Sequence, residues 1–173
     1  MRLKGEAVNA IAQGEVRIPR GDSDPIILRV QALPLGHEEL AEQMFPSPTA
    51  PLQYAESRGG KILRDPATRK PITVRNLEDS DYKAAVRITS RHQMMFFVHA
   101  ALKADDTVEW ETEEVAGQDP KEFYTDLYNE LKAAGFSVGD LRLIVDAVME
   151  LSNLSGEDIQ EAKEDFLSQE PSV

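Results

Sequence analysis

The sequence contains no cysteine, a single tryptophan and no long hydrophobic run. Without cysteine the chain can form neither disulfides nor thiolate metal sites, and a reducing compartment is compatible with it. A membrane span requires about 18 consecutive apolar residues, whereas the best apolar run, Met94 to Leu102, is shorter and contains His99. The first residues are a polar mixture rather than the apolar core of a signal peptide, so we expect a cytoplasmic protein.

Positive charge is scarce after residue 104. Residues 1–104 carry 15 Lys and Arg against 12 Asp and Glu, a net charge of +3, whereas residues 105–173 carry 4 against 19, a net charge of −15. General nucleic-acid binding requires clustered cations that displace counterions from phosphate, and the total charge of −12 argues against it. Such a division of charge predicts two surfaces with different partners.

Two hairpins are predicted in the first half of the chain. Residues 15–18 and 26–31 are rich in β-branched side chains and flank a dense cluster of turn residues. A further strand is expected within residues 2–8. The second hairpin should join residues 61–64 to residues 71–75 through an exposed basic turn that opens with Asp-Pro.

Two helices of different length are predicted next. Residues 37–45 form a short helix that Pro46 ends, and the proline-rich residues 46–60 are expected to be a mobile loop. The helical period begins at Asp79 and predicts a long helix that ends near Lys103. One apolar stripe is expected along this helix, made of Tyr82, Ala85, Val86, Thr89, Gln93, Phe96, Phe97 and Ala100.

The second half of the long helix, residues 94–102, is apolar nearly all round. A helix that is apolar on every side is buried on every side. This segment should therefore lie either in the centre of the domain or against a partner subunit.

Residues 107–112 alternate in polarity, which is typical of a strand with one exposed face. Val108 and Trp110 would lie on the inner face, and Glu109 and Glu111 would lie on the outer face. We expect this strand to join the first sheet.

The last third of the chain predicts three helices with clear end signals. Asp119 and Pro120 open the first, Gly135 closes it, Ser137 caps the second, and Ser155 begins the third. The predicted fold class is α+β, with a small antiparallel sheet, made of the N-terminal hairpins and the Trp110 strand, packed against a helical C-terminal half. Residues 1–76 form the β-rich region and residues 77–173 the mainly helical acidic region of what we expect to be one compact unit.

No catalytic constellation is visible in the sequence. His92 and His99 lie about 10 Å apart along their helix, which is too far for one metal ion with bonds near 2 Å. Carboxylates such as Glu109, Glu111 and Glu113 share a face, but acid–base chemistry needs them in different environments within a cleft. The phosphate-loop and nucleophile-elbow patterns are also missing. We therefore expect no enzyme, no cofactor and no metal site.

The candidate partner-binding residues combine adaptable, aromatic and acidic side chains. They are Met94, Met95, Phe96, Phe97, Trp110, Glu109 and Glu111. The first four are also good core residues, and both interpretations stay open. A cationic stretch is expected to form a solvated hairpin that pairs with acidic residues of this chain or of a neighbouring copy; it contains Arg58, Lys61, Arg64, Arg69, Lys70 and Arg75.

Residues 72–168 resemble the small acidic tail assembly chaperones of tailed bacteriophages and prophages. The resemblance rests on a strand with an acidic cap (74–82), a helix with a hydrophobic end (92–102), a Trp-containing segment (108–111) and two linked helices (123–154). It implies a non-enzymatic protein that binds tail tube and tape measure proteins in the host cytoplasm and that carries no catalytic residue. The alternative is an acidic protein that mimics DNA and inhibits a nucleic-acid enzyme through residues 105–173.

Overall fold

The computed structural model describes residues 2–3, 6–7, 11–21 and 23–152. Within these ranges the chain is α+β, as predicted, with three separate two-stranded antiparallel sheets and four helices. The strands are β1 (Arg2–Leu3), β2 (Glu6–Ala7), β3 (Gln13–Arg20), β4 (Ser23–Gln31), β5 (Leu52–Tyr54) and β6 (Thr73–Arg75), and the helices are α1 (His37–Met44), α2 (Ser80–Leu102), α3 (Pro120–Ala133) and α4 (Val138–Leu151). The helix predicted from Ser155 lies outside the described residues.

The first predicted hairpin is confirmed as β3 and β4. Val16 pairs with Leu28 and Gly14 with Val30, and the alternation of the strands buries the side chains of Val16, Leu28 and Val30 on one face. Helix α4 packs on that face and approaches so closely at Gly14 that a Cβ there would lie 3.1 Å from a methyl group of Leu151. The prediction of a small sheet packed on the helical half is therefore correct for this hairpin.

Helix α2 passes through the centre of the core. It packs against α1, α3, α4 and β4, and its buried residues are His92, Met95, Phe96, Val98, Ala101 and Leu102. The predicted stripe is partly correct, because Phe96 is buried and its other seven members are half-buried. Several elements surround the second half of the helix, so buried side chains occur there on more than one of its sides. In contrast, no residue from 51 to 91 is buried.

The strand predicted at residues 107–112 is wrong: the segment is irregular, although Val108 and Trp110 do pack against the core. Its backbone N–H groups bond to no neighbouring strand: side chains accept three of them, and the carbonyl of Asp105 accepts that of Val108. Asp105 accepts the N–H of Thr107 at 3.0 Å, and Glu130 accepts the N–H groups of Glu111 and Thr112 at 2.8 and 3.0 Å. Because these bonds replace a ladder, the alternating pattern places the side chains without forming a strand.

The helix ends follow the local signals. Asp79 accepts the N–H of Tyr82 at 2.8 Å at the start of α2. Gly135 follows α3 with a φ of 85°, and the bonds from Phe136 N to Leu131 O and from Gly135 N to Lys132 O form a Schellman motif. The connection between α3 and α4 is therefore short and fixed.

One ion pair joins the β3–β4 hairpin to helix α4. Asp140 closes a capping box with Ser137 at the start of α4, and its Oδ2 also accepts a hydrogen bond from Arg20 Nη1 at 2.9 Å. The guanidinium carbon of Arg20 lies 4.9 Å from the centre of the Phe136 ring. A residue at the end of the sheet thus helps to cap a helix 120 positions later in the sequence.

Candidate protein-binding surface

Residues 51–78, which we call the arm, form a small β structure of three extended segments. Ala55 N donates to Ile72 O, Leu63 N donates to Ala55 O, and Ile72 N donates to Leu63 O, so each segment is bonded to the other two. The predicted second hairpin is only partly correct, since residues 64 and 71 form a single bridge. The longer ladder joins β5 to β6, and β5 lies in the segment that was predicted to be a loop.

The turn of the arm is fixed by one carboxylate. Asp65 accepts hydrogen bonds from the N–H groups of Ala67 and Thr68, at 2.9 and 2.7 Å, and from the Thr68 hydroxyl at 3.0 Å. The backbone bond from Thr68 and then its side-chain bond lower the pKa of Asp65. This confirms the Asp-Pro turn and shows that the Asp65 charge is already engaged within the arm.

The arm exposes an unusual number of large apolar side chains. The exposed fractions are 70% for Leu52, 55% for Tyr54 and 57% for Leu77, and Ile62, Leu63, Ile72 and Val74 are exposed as well. None of its residues belongs to the hydrophobic core. Exposed large apolar side chains in such number are typical of a protein–protein interaction site in soluble proteins.

The arm is also cationic. Its six Lys and Arg, the cationic stretch identified in the sequence, are all exposed, against three acidic residues. Two of those acids are engaged, because Asp65 holds the turn and Glu78 pairs with Lys83. Within the described residues, none of the six cations forms an ion pair with an acid of its own chain.

An acidic surface lies where residues 109–112 meet helix α3. A depression of about 810 Å³ is lined by eight residues, four of them acidic: Glu109, Glu111, Thr112, Asp126, Asn129, Glu130, Ala133 and Ala134. We call this depression the acidic groove. Partial burial opposes ionisation of Glu130, but hydrogen bonds from Thr112 and Glu111 outweigh it and lower the pKa of this carboxyl. No Lys or Arg lines the acidic groove.

A second groove, with arginine on its rim, lies between α2 and the start of α4. It has a volume of about 460 Å³ and is lined by Val86, Arg87, Ser90, Arg91, Met94, Tyr128, Val138 and Arg142. The guanidinium carbon of Arg91 lies 4.6 Å from the centre of the Tyr128 ring, which fixes one wall of the groove.

The structure separates the candidate residues from the sequence into three groups. Met95 and Phe96 are buried in the core and are not accessible to a partner while the fold is intact. Met94, Phe97 and Trp110 are partly buried against the core, and Met94 also reaches the second groove, as described above. Glu109 and Glu111 are exposed and lie together in the acidic groove.

The exposure of the apolar side chains of the arm could not be predicted from the sequence. Residues such as Leu52, Ile62 and Val74 follow the pattern of an ordinary half-buried sheet and differ from one only in lacking a covering layer. In the sequence, the many proline and cationic residues around them are the one indication of this exposure.

The three histidines belong to the core packing. His37 stacks on Phe96 with ring centres 4.8 Å apart, and His99 contacts Trp110 with ring centres 5.7 Å apart. His92 Nε2 lies 2.9 Å from the Thr125 hydroxyl. That hydroxyl donates to Lys121 O at 2.7 Å, so Nε2 carries the proton and donates to Thr125.

Burial is the main cause that lowers the pKa of His37, His92 and His99, and nearby cations lower it further. These rings are therefore neutral packing groups near neutral pH. Across the part of the chain with described coordinates, no three His, Asp or Glu side chains are grouped so that they could hold a metal ion.

None of the helices within the described ranges is both long enough and apolar enough to cross a bilayer. Comparison of the chain with family models, with curated proteins and with solved structures gives no match. The surfaces of the arm and of the two grooves are therefore the observations from which a function has to be argued.

Proposed function

We propose that this protein is a non-enzymatic assembly factor that binds other proteins through the arm, as a bacteriophage tail assembly chaperone would. The observation that carries the proposal is the exposure of seven large apolar side chains on a β structure that contributes no residue to the hydrophobic core of the described chain. Burying such side chains against a partner contributes about 25 cal/mol per Å² of apolar surface. The resemblance of residues 72–168 to these chaperones supplies the class of partner: tail tube and tape measure proteins.

The charge of the helical half suits a protein that keeps others soluble. Residues 105–152 carry 13 Asp and Glu against 3 Lys and Arg, a net charge of −10. A high net charge opposes non-specific association between complexes. An apolar contact surface and a strongly charged opposite surface together allow the protein to cover an adhesive partner and repel further copies of the complex.

The test is suppression of aggregation of a purified tail tube protein, followed by light scattering at equal molar amounts. The wild-type protein should suppress scattering, whereas Leu52→Ser/Tyr54→Ser should lose most of this effect. The matched control is Leu35→Ser/Val115→Ser, because both residues are exposed apolar side chains outside the arm. Equal suppression by all three proteins would contradict the role of the arm.

The acidic groove favours a second candidate function, the inhibition of a nucleic-acid enzyme by DNA mimicry. Four carboxylates line one depression without a cation among them, and rows of negative charge are what such an enzyme recognises in DNA. Glu109→Lys/Glu111→Lys would then abolish binding to the enzyme, and duplex DNA would compete for the same site. A tail protein as partner would instead be insensitive to DNA.

A further inference from the structure

The arm and the acidic groove are complementary in charge, and each copy of the chain carries both. The cations of the arm are exposed and form no ion pair within the described part of their own chain. Among the described residues that line the groove, none is a cation that could pair with the carboxylates of Glu109, Glu111 and Asp126. The sequence left open whether the cationic stretch pairs within its own chain or with a neighbouring copy, and the structure favours the copy.

We propose that the arm of one copy docks in the acidic groove of a second copy. The contact would cover the apolar side chains of the arm and place its cations beside the groove carboxylates. A specific interface engages about 20–30 residues on each side, and the 28 residues of the arm are enough for one such side. The inference depends only on these two surfaces and holds whatever the further partners of the protein are.

Pairing of one arm with another arm is disfavoured by the same charges. Each arm has a net charge of +3, and opposed like charges weaken an interface. The contact is therefore heterologous: an arm meets a groove, and each copy still has one free arm or one free groove. Such contacts repeat until a ring closes, or they continue as an open chain.

The experiment uses the full chain and two charge-reversal variants. The arm variant is Lys61→Glu/Lys70→Glu, because the side chains of these two residues make no hydrogen bond within the described part of the arm. The groove variant is Glu109→Lys/Glu111→Lys, which leaves intact the Glu130 carboxylate that holds the backbone. The matched control, Arg17→Glu/Lys121→Glu, reverses two exposed charges outside the arm and the acidic groove.

Sedimentation velocity at increasing protein concentration gives the readout, and thermal melts establish that each variant is folded. The wild-type protein should associate at low salt and dissociate near 1 M salt, where the Debye length is about 3 Å. Each charge-reversal variant alone should raise the Kd of self-association by about tenfold or more. The control should associate like the wild type.

A mixture of the two variants gives the decisive result. The groove variant keeps a native arm and the arm variant keeps a native groove, so one native contact remains possible between them. The expected result is that association, which each variant has lost on its own, returns in the mixture, because the native arm of one variant meets the native groove of the other. A wild-type protein that stays monomeric, or an arm variant that associates as well as the wild type, would overturn the proposal.

Discussion

Arg20→Met and Asp140→Ala should have very different costs, although they remove the two ends of one ion pair. Arg20 Nη1 bonds Asp140 Oδ2, but Arg20 Nη2 is buried without a partner among the described residues. Methionine keeps the stem of the side chain near Phe136 and removes that unsatisfied donor. Replacing Asp140 removes the carboxylate that accepts the Ser137 N–H and leaves the guanidinium half-buried without its partner, while the cap by the Ser137 hydroxyl remains.

The magnitudes follow from these contacts. Loss of the hydrogen bond from the Ser137 N–H to the Asp140 carboxylate costs about 1 kcal/mol. An unpaired, partly buried Arg20 adds about 1–2 kcal/mol, because its side chain is 24% exposed and water screens part of the charge. We expect a total of about 2–3 kcal/mol for Asp140→Ala and less than about 1 kcal/mol for Arg20→Met.

Urea unfolding of the wild type, the two single variants and the double variant measures this difference. The double variant should be more stable than the sum of the single costs predicts, by about 1 kcal/mol. The hydrogen bond from the Ser137 N–H and the one from Arg20 also hold the pKa of Asp140 below its usual range. Its stabilisation is therefore present above about pH 4 and is lost as the pH falls through the lowered pKa. A coupling energy near zero, or equal costs for the two single variants, would refute the reasoning.

Three further predictions concern the core. Asp105→Ala should cost about 2–4 kcal/mol in urea melts, because it leaves the N–H groups of Arg29 and Thr107 without an acceptor, and the neighbouring Asp106→Ala should cost less than about 0.5 kcal/mol. Phe96→Ala should cost about 3–5 kcal/mol, and a cost below about 1 kcal/mol would place this side chain outside the core. The pKa of each of the three histidines is lowered by folding, so their stabilisation is complete above their usual pKa of 6.5 and is lost as the pH falls below it; a urea midpoint that does not change between about pH 7 and pH 5 would contradict this.

The structural elements that could be predicted from the sequence are those fixed by interactions between residues that are close in the sequence. Asp79, Asp119 and Ser137 cap helices because a short side chain accepts N–H groups two or three positions away. The β3–β4 hairpin likewise follows from alternation and a turn. The α+β class could therefore be predicted, and so could the centre of the core at the second half of α2.

Features with distant causes could not be predicted. Residues 107–112 have the alternation of a strand, yet the N–H groups of Glu111 and Thr112 bond to Glu130, a side chain on α3. The sequence predicts a mobile loop over residues 46–60, but Ala50 within it is only 4% exposed. In both places the local structure or burial depends on which distant part of the fold packs against the segment. Such a contact cannot be read from a single sequence.

The arm shows how the two charge regions and the exposed apolar surface belong together. A two-stranded β structure without a covering layer is marginal in water, and ordering each backbone residue costs about 1–2 kcal/mol. The internal hydrogen bonds of the arm offset part of this cost, but its apolar side chains contribute little while they face solvent. A partner that covers them adds the missing stabilisation, so binding and ordering of the arm reinforce each other. The cations around the apolar side chains restrict that partner to acidic surfaces, and they keep two arms from associating with each other.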